Sequence, residues 1–230
     1  MFTGSFELIR FNRRLPPRKI DLMVSSPSNI QLVVSTVLAY LIGGLPFGYL
    51  FVRFSLGKDV RTMGSGNIGA TNVHRTAGRK AGVIVLLLDI LKGFVAIWLA
   101  ALICQSSPLA LALAAAAVMV GHCYPILLGF KGGKAVACFI GAFLYLAPIP
   151  LLITILIFVI VVAVSKYISL GSIIGAALFP LVMWLVQHPP RVLLYAAIFS
   201  AILIVYRHKA NIGRLLRGRE NVFSVKSRTA

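Results

Sequence analysis

Long apolar runs separated by short polar and basic connections make up most of the chain after residue 29. The runs fall at about 30–52, 81–103, 109–128, 135–148, 150–165, 168–187 and 191–206. A membrane-crossing helix needs about 20 apolar residues, which most of these runs supply. The pattern predicts an all-α integral membrane protein with seven transmembrane helices. Residues 135 to 165 form one apolar stretch interrupted by Pro148-Ile149-Pro150. At about 1.5 Å per residue this stretch is too long for one pass and short for two. Short or broken helices usually line a site rather than face lipid.

The basic residues decide the topology. Lys58, Arg61, Arg75, Arg79 and Lys80, then Lys131 and Lys134, then Lys166, then the tail from Arg207 to Arg228 fall at alternate connections. The other connections, near Ser106, Ile149 and Pro189, carry only Arg191. Seven spans put every basic loop and the C-terminus on the cytoplasmic side, with the N-terminus outside. A six-span arrangement would split them. The basic stretch before residue 30, with Arg10, Arg13, Arg14, Arg18 and Lys19, reads as a mobile extension that would cross against this tendency. Translation beginning at Met23 would remove all five charges. The organisation expected is a basic extension over 1–29, a membrane unit over 30–208 and a basic cytoplasmic tail over 209–230.

Composition agrees with membrane insertion. Of 230 residues 59% are hydrophobic and 12% charged, with a mean hydropathy of +0.94, which leaves no room for a soluble catalytic domain. Twenty-three Lys and Arg against five Asp and Glu give a net charge of +18. In a soluble protein that balance suggests nucleic acid. Here the charges sit in loops and tails, where they orient the protein, attract the anionic leaflet and bind anionic substrates. Cys104, Cys123 and Cys138 show no CxxC pair or metal-ligand spacing, so neither a disulfide framework nor a zinc site follows. Apart from Asp89 and Asp59, no carboxylate falls near the polar clusters. A Ser-His-Asp triad and a carboxylate-bound metal are not expected, and no cofactor is implied. The inventory suits charge stabilisation and positioning of phosphate-bearing reactants.

Three polar clusters carry that chemistry. Residues 64 to 80 place Ser65, Asn67, Thr71 and Asn72 among glycines that allow close backbone approach, with Arg75 and Arg79 as countercharge. A solvated loop between membrane helices would have a similar composition. The second cluster is Gly121-His122-Cys123-Tyr124-Pro125 followed by Gly129-Phe130-Lys131-Gly132-Gly133-Lys134, in which Gly132 and Gly133 resemble an anion nest whose freed N–H groups face a phosphate. Topology anchoring would equally account for its lysines. The third runs from Tyr206 to Gly218, with His208 and Asn211 spaced i,i+3 on one helical face. Ser169 and Ser172 repeat that spacing, although serines at helix starts are usually caps. Asp89 and Lys92 lie inside the second span, either neutralising one another or supporting a phosphate-binding shell.

The strings from Ser65 to Arg75, Gly121 to Pro125 with Gly129 to Lys134, and His208-Lys-Ala-Asn-Ile-Gly-Arg-Leu resemble the PlsY family of acyl-phosphate:glycerol-3-phosphate acyltransferases. The resemblance runs from about Leu38 to Glu220. It implies a seven-helix inner-membrane enzyme that moves an acyl chain from acyl phosphate to glycerol 3-phosphate, using the acyl-phosphate-producing enzyme as a source and membrane lipids as surroundings. By position it makes Ser65, Arg75, Lys134 and His208 catalytic, and Asn67, Thr71, Asn72, His122, Gly132, Gly133, Ser169 and Asn211 substrate-binding. Ala135 and Cys138 stand where the family usually carries Gly and Thr. Two other functions fit the same loops. A transporter or flippase for a phosphorylated metabolite would use basic loops and broken helices too, although no internal repeat is present. A scaffolding protein at the lipid surface would need no phosphate selectivity.

Overall fold

The structure is a computed structural model that describes residues 26–222. The five basic residues of the extension and Met23 lie outside the described residues. Helix α1 (Asn29–Gly43) starts at a capping box in which Ser28 Oγ accepts from Gln31 N and Gln31 Oε1 accepts from Ser28 N. That box satisfies two N-terminal groups at the edge of the apolar run. Pro46 lacks an N–H and restricts Leu45, so the helix breaks there before resuming as α2 (Phe47–Leu56). Together they make one pass of 28 residues.

A 3₁₀ turn at Val60–Thr62 leads to α3 (Ala70–Ala77), which lies wholly inside the first polar cluster. The chain continues through α4 (Arg79–Ile103), α5 (Pro108–Cys123), a 3₁₀ turn at Ile126–Leu128 and α6 (Val136–Leu146). It closes with α7 (Pro148–Ser165), α8 (Ile168–Gln187), α9 (Arg191–Arg207) and α10 (Lys209–Leu216). Every apolar run of the sequence is helical, and no strand occurs among the described residues. Five helical segments are long and apolar enough to span a bilayer, and α9 with α10, bent by 56°, makes a sixth. Helix α6 has 11 residues, about 16 Å of rise against a hydrocarbon core of about 30 Å. Seven is thus the number of apolar helical segments, one of them too short to cross alone.

Lipid offers no hydrophobic drive for one apolar helix to prefer another, so close packing of small residues holds the bundle. A methyl group on Gly43 would sit 2.2 Å from the Val118 carbonyl, and one on Gly121 would sit 2.1 Å from the Tyr40 carbonyl, which brings α1 against α5. Gly93 and Gly141 do the same for α4 and α6, facing the Cys138 and Ile90 carbonyls at 2.3 and 1.9 Å. Helix α5, rich in alanine, is the most enclosed. Most of α7 lies on the outside and packs mainly against α8. This places the free ends of α3, α6, α8 and α10 around one cavity.

Candidate active site

The loop before α3 is organised by one side chain. Asn72 Oδ1 accepts from Ser65 N at 2.8 Å, while its amide donates to the carbonyls of Val60, Met63 and Asn67. Asn72 is 1% exposed and has no polar atom to spare. Expected as a substrate contact, Asn72 lines the cavity and at the same time braces the loop bearing Ser65 and Asn67. Asn67 Oδ1 takes the Gly69 N–H at 2.8 Å, so its amide NH₂ is the group able to donate outward. Thr71 and Arg75, one turn apart on α3, line the same cavity.

The second cluster departs from expectation. Gly132 N donates to the Cys123 carbonyl and Gly133 N to the His122 carbonyl, so neither amide is available to an anion. The nest reading is therefore corrected. These glycines are needed for close approach: a methyl on Gly132 would sit 2.2 Å from the His122 carbonyl and one on Gly133 2.0 Å from His122 Nε2. Their own carbonyls accept from Arg207 Nη2 and Nε at 2.9 and 3.0 Å, tying the loop to the end of α9. Arg207 also stacks over Tyr124. Gly132 borders a polar cavity, whereas Gly133 lines neither of the two cavities at the site. The loop delivers Lys134, and Ala135 after it adopts φ 61°. A left-handed conformation strains a residue with a Cβ by about 1–2 kcal/mol, at the position where glycine is usual in the resembling family.

Lys134 Nζ donates to Asn211 Oδ1 on α10. Burial pushes its ammonium down to about 8, with nearby Arg214 adding to the effect. Asn211 Nδ2 donates in turn to Glu220 Oε1 at 2.8 Å. Glu220 also accepts from Ser169 Oγ at 3.1 Å and from Arg214 Nε at 2.7 Å. Burial alone would raise this carboxyl, but the hydrogen bonds from Arg214 and Asn211 outweigh it and hold Glu220 below the usual glutamate range. Sequence reading placed no carboxylate of the tail at the site, and this is corrected: Glu220 is 8% exposed and lines the cavity. The signal available was that it is the one acid between Arg207 and Arg228. Arg214 was also missed, although 208, 211 and 214 continue one i,i+3 series. Helix α10 and the segment after it, through Glu220, also line the cavity. His208 and Ser169 line the cavity as expected, with Ser172 beside them donating to the Ile168 carbonyl.

Asp89 and Lys92 behave as a buried pair, with Nζ 2.8 Å from Oδ1 and donating to the Leu45 carbonyl at 2.7 Å. Lys92 does not reach the cavity, which favours mutual neutralisation over a phosphate shell. His122 Nδ1 stands 3.9 Å from Asp89 Oδ1. Asp89, His122 and Cys138 bring their ligand atoms within 4.8 Å of one another, a cluster the sequence spacing did not suggest. The Lys92 ammonium already neutralises its carboxylate, which makes it a poor cation site.

Residues from all three polar clusters meet in a cavity of about 550 Å³. One end carries Ser65, Asn67, Thr71, Arg75, Lys134, His208, Asn211 and Arg214. The remainder is walled mostly by apolar residues of α4, α6, α7 and α8, among them Leu86, Ile140, Ile155 and Phe158, with Asp89 and His122 also on its lining. A second, polar cavity of about 350 Å³ shares Ser65, Asn67, Lys134, Asn211 and Arg214 with the first and adds Gly132, Arg207 and Lys209. The glycerol-3-phosphate acyltransferase family pattern matches residues 33–218. The chain belongs to the glycerol-3-phosphate acyltransferase family. It is 45% identical over 192 residues to the glycerol-3-phosphate acyltransferase of Desulforamulus reducens, covering 84% of this chain and 95% of the relative. It is 44% identical to that of Geobacter sulfurreducens, covering 83% and 97%. The fold is similar to crystal structures of PlsY, an integral membrane glycerol 3-phosphate acyltransferase. In its glycerol 3-phosphate form the TM-score is 0.79 at 38% identity, covering 84% of this chain and 96% of that one. In its lysophosphatidic acid form the score is 0.77 at 36% identity, covering 85% and 97%.

Proposed function

We propose that this membrane acyltransferase moves an acyl chain from acyl phosphate to glycerol 3-phosphate, giving 1-acyl-glycerol 3-phosphate and inorganic phosphate, an early step of phospholipid synthesis. The observation that carries the reading is the pair of cavities joined at Ser65, Asn67, Lys134, Asn211 and Arg214. An amphipathic donor fits the larger one, with phosphate among the cations and chain along the apolar wall. A small polar acceptor fits the second. The shared residues then stand where the two substrates meet, which aligns the reacting atoms.

Acyl phosphate is an activated mixed anhydride, so the protein has to supply alignment and charge more than covalent chemistry. The acceptor hydroxyl oxygen attacks the acyl carbon, an oxyanion forms, and it collapses as the carbon–oxygen bond to phosphate breaks. Arg75 and Lys134 neutralise the substrate phosphates, while Ser65 and neighbouring donors stabilise the oxyanion. The hydroxyl proton goes to the departing phosphate or to His208. His208 Nδ1 lies 2.7 Å from the Ile204 carbonyl, which can only accept, so Nδ1 carries hydrogen and Nε2 keeps the lone pair a base needs. The basic loops gather at the end of the bundle that carries these residues, which supports a cytoplasmic site in a bacterial inner membrane. There it can receive acyl phosphate from the enzyme that makes it. The relatives and solved structures described above are acyltransferases, which lends the transporter reading no support.

The test is phosphate release from palmitoyl phosphate by the purified protein in lipid, with and without glycerol 3-phosphate, running palmitoyl-CoA as the rival donor. Acceptor-dependent release with lysophosphatidate formed is the expected result. Product from palmitoyl-CoA alone would overturn the choice of donor, and no product from either would overturn the reaction.

A further inference from the structure

The larger cavity has a floor. Helices α7 and α8 run antiparallel from the polar end, so that Gly175 comes level with Thr154. Two glycines of α8 on this wall differ in their surroundings. A methyl on Gly171 would strike Val162 at 2.7 Å and Phe158 at 2.9 Å, so close helix packing explains that glycine. At Gly175 the nearest atom is Thr154 Cγ2 at 3.4 Å, an ordinary contact, and the side chain left out there gives its space to the cavity. Thr154 is buried and its hydroxyl donates to the Pro150 carbonyl at 2.9 Å, which turns a methyl toward Gly175. Leu151 lines the cavity about one turn further from the polar end and is 1% exposed.

No residue of α7 before Leu151 and none of α8 after Ala176 lines the cavity. Phe139 lines the cavity, and behind it Phe143 and Phe179 are fully buried, with the three ring centroids 4.6 to 4.8 Å apart. Such a cluster is rigid, because each ring is held by the other two. From Ser169 to Ala176, level with this floor, α8 rises about 10 Å.

We propose that Gly175, Thr154 and Leu151, backed by the Phe139–Phe143–Phe179 cluster, measure the acyl chain and set the longest one the enzyme accepts readily. This rests on the acyl-phosphate reading above. A chain that meets the floor must bend or leave its last carbons unburied, and one methylene in an apolar pocket is worth roughly tenfold or more in discrimination.

The experiment compares kcat/KM for hexanoyl, octanoyl, decanoyl, lauroyl and palmitoyl phosphate, chains on both sides of the floor's depth, in the wild type, Gly175→Leu and Leu151→Ala. Gly175→Leu is expected to lower the long-to-short ratio at least tenfold and Leu151→Ala to raise it severalfold. Each ratio is taken within one variant, so losses of folded protein cancel. If Gly175→Leu is inactive throughout, Leu151→Ala, which only removes atoms, decides alone. Unchanged ratios in an active variant would overturn the proposal and mean that the chain leaves sideways into lipid. A wild type inactive on every acyl phosphate would instead overturn the donor reading.

Discussion

Lys134 concentrates the electrostatics of the site in one titratable group. Three cations and a buried position disfavour its charge, and the free enzyme therefore loses that charge as pH rises through about 8. Below that value the ammonium is present to meet a phosphate; above it the site has one positive charge fewer. Because kcat/KM reports the free enzyme, kcat/KM for glycerol 3-phosphate is expected to fall above about pH 8 in the wild type. Lys134→Arg, which stays charged, should show a flatter profile. Lys134→Ala should lose roughly 10- to 150-fold in kcat/KM at neutral pH, the 1.5–3 kcal/mol typical of a hydrogen bond to a charged group, with no alkaline fall of this origin. A wild-type profile that stays level through the alkaline range would remove Lys134 from phosphate recognition. The residue was legible in the sequence as a lysine beside paired glycines. Its perturbed charge was not, because Asn211 and Arg214 reach it from α10 and Glu220 from the segment after it, 77 positions away at Asn211.

At the scale of elements, the glycine pair before α6 works by letting two segments touch, not by offering amides. The two glycines should then respond differently to the same change. A methyl at Gly133 meets the His122 ring, whereas a methyl at Gly132 meets the His122 carbonyl. Removal of the ring in His122→Ala is expected to relieve most of the Tm loss caused by Gly133→Ala and little of that caused by Gly132→Ala. Equal relief at both positions, measured by thermal unfolding in detergent, would overturn this assignment of the two contacts. The helices themselves were legible. Capping by Ser28 and Gln31, the break at Pro46 and the start of α7 at Pro148 follow from local backbone chemistry. Helix α3 was not: Ala70, Val73 and Ala77 do share one face, but eight residues are too few for that period to stand out in a polar stretch, and the helix packs against α2 and α4.

For the molecule as a whole, the alternation of basic connections predicts which end faces the cytoplasm. Cys104, Cys123 and Cys138 are buried, so they can stay in place while a single cysteine is added as a reporter. A membrane-impermeant maleimide added to intact cells is expected to label Ser106→Cys, while Lys131→Cys reacts only after the membrane is opened. The reverse pattern would invert the orientation and put the cavities outside.

The sequence by itself determined the seven apolar segments and nearly all their boundaries, because a chain in lipid must satisfy its backbone internally and so has few options besides helix. It also determined the stock of phosphate-binding groups, since a cation or hydroxyl is scarce in such a chain and stands out. Only the tertiary structure decided how these groups divide their work. Asn72 became a brace, the paired glycines became a contact, and Glu220 became the anchor that joins Ser169 to α10 across 51 positions. Those outcomes depend on which residues meet across the bundle, and such meetings follow from the close packing of whole helices, which no local pattern records.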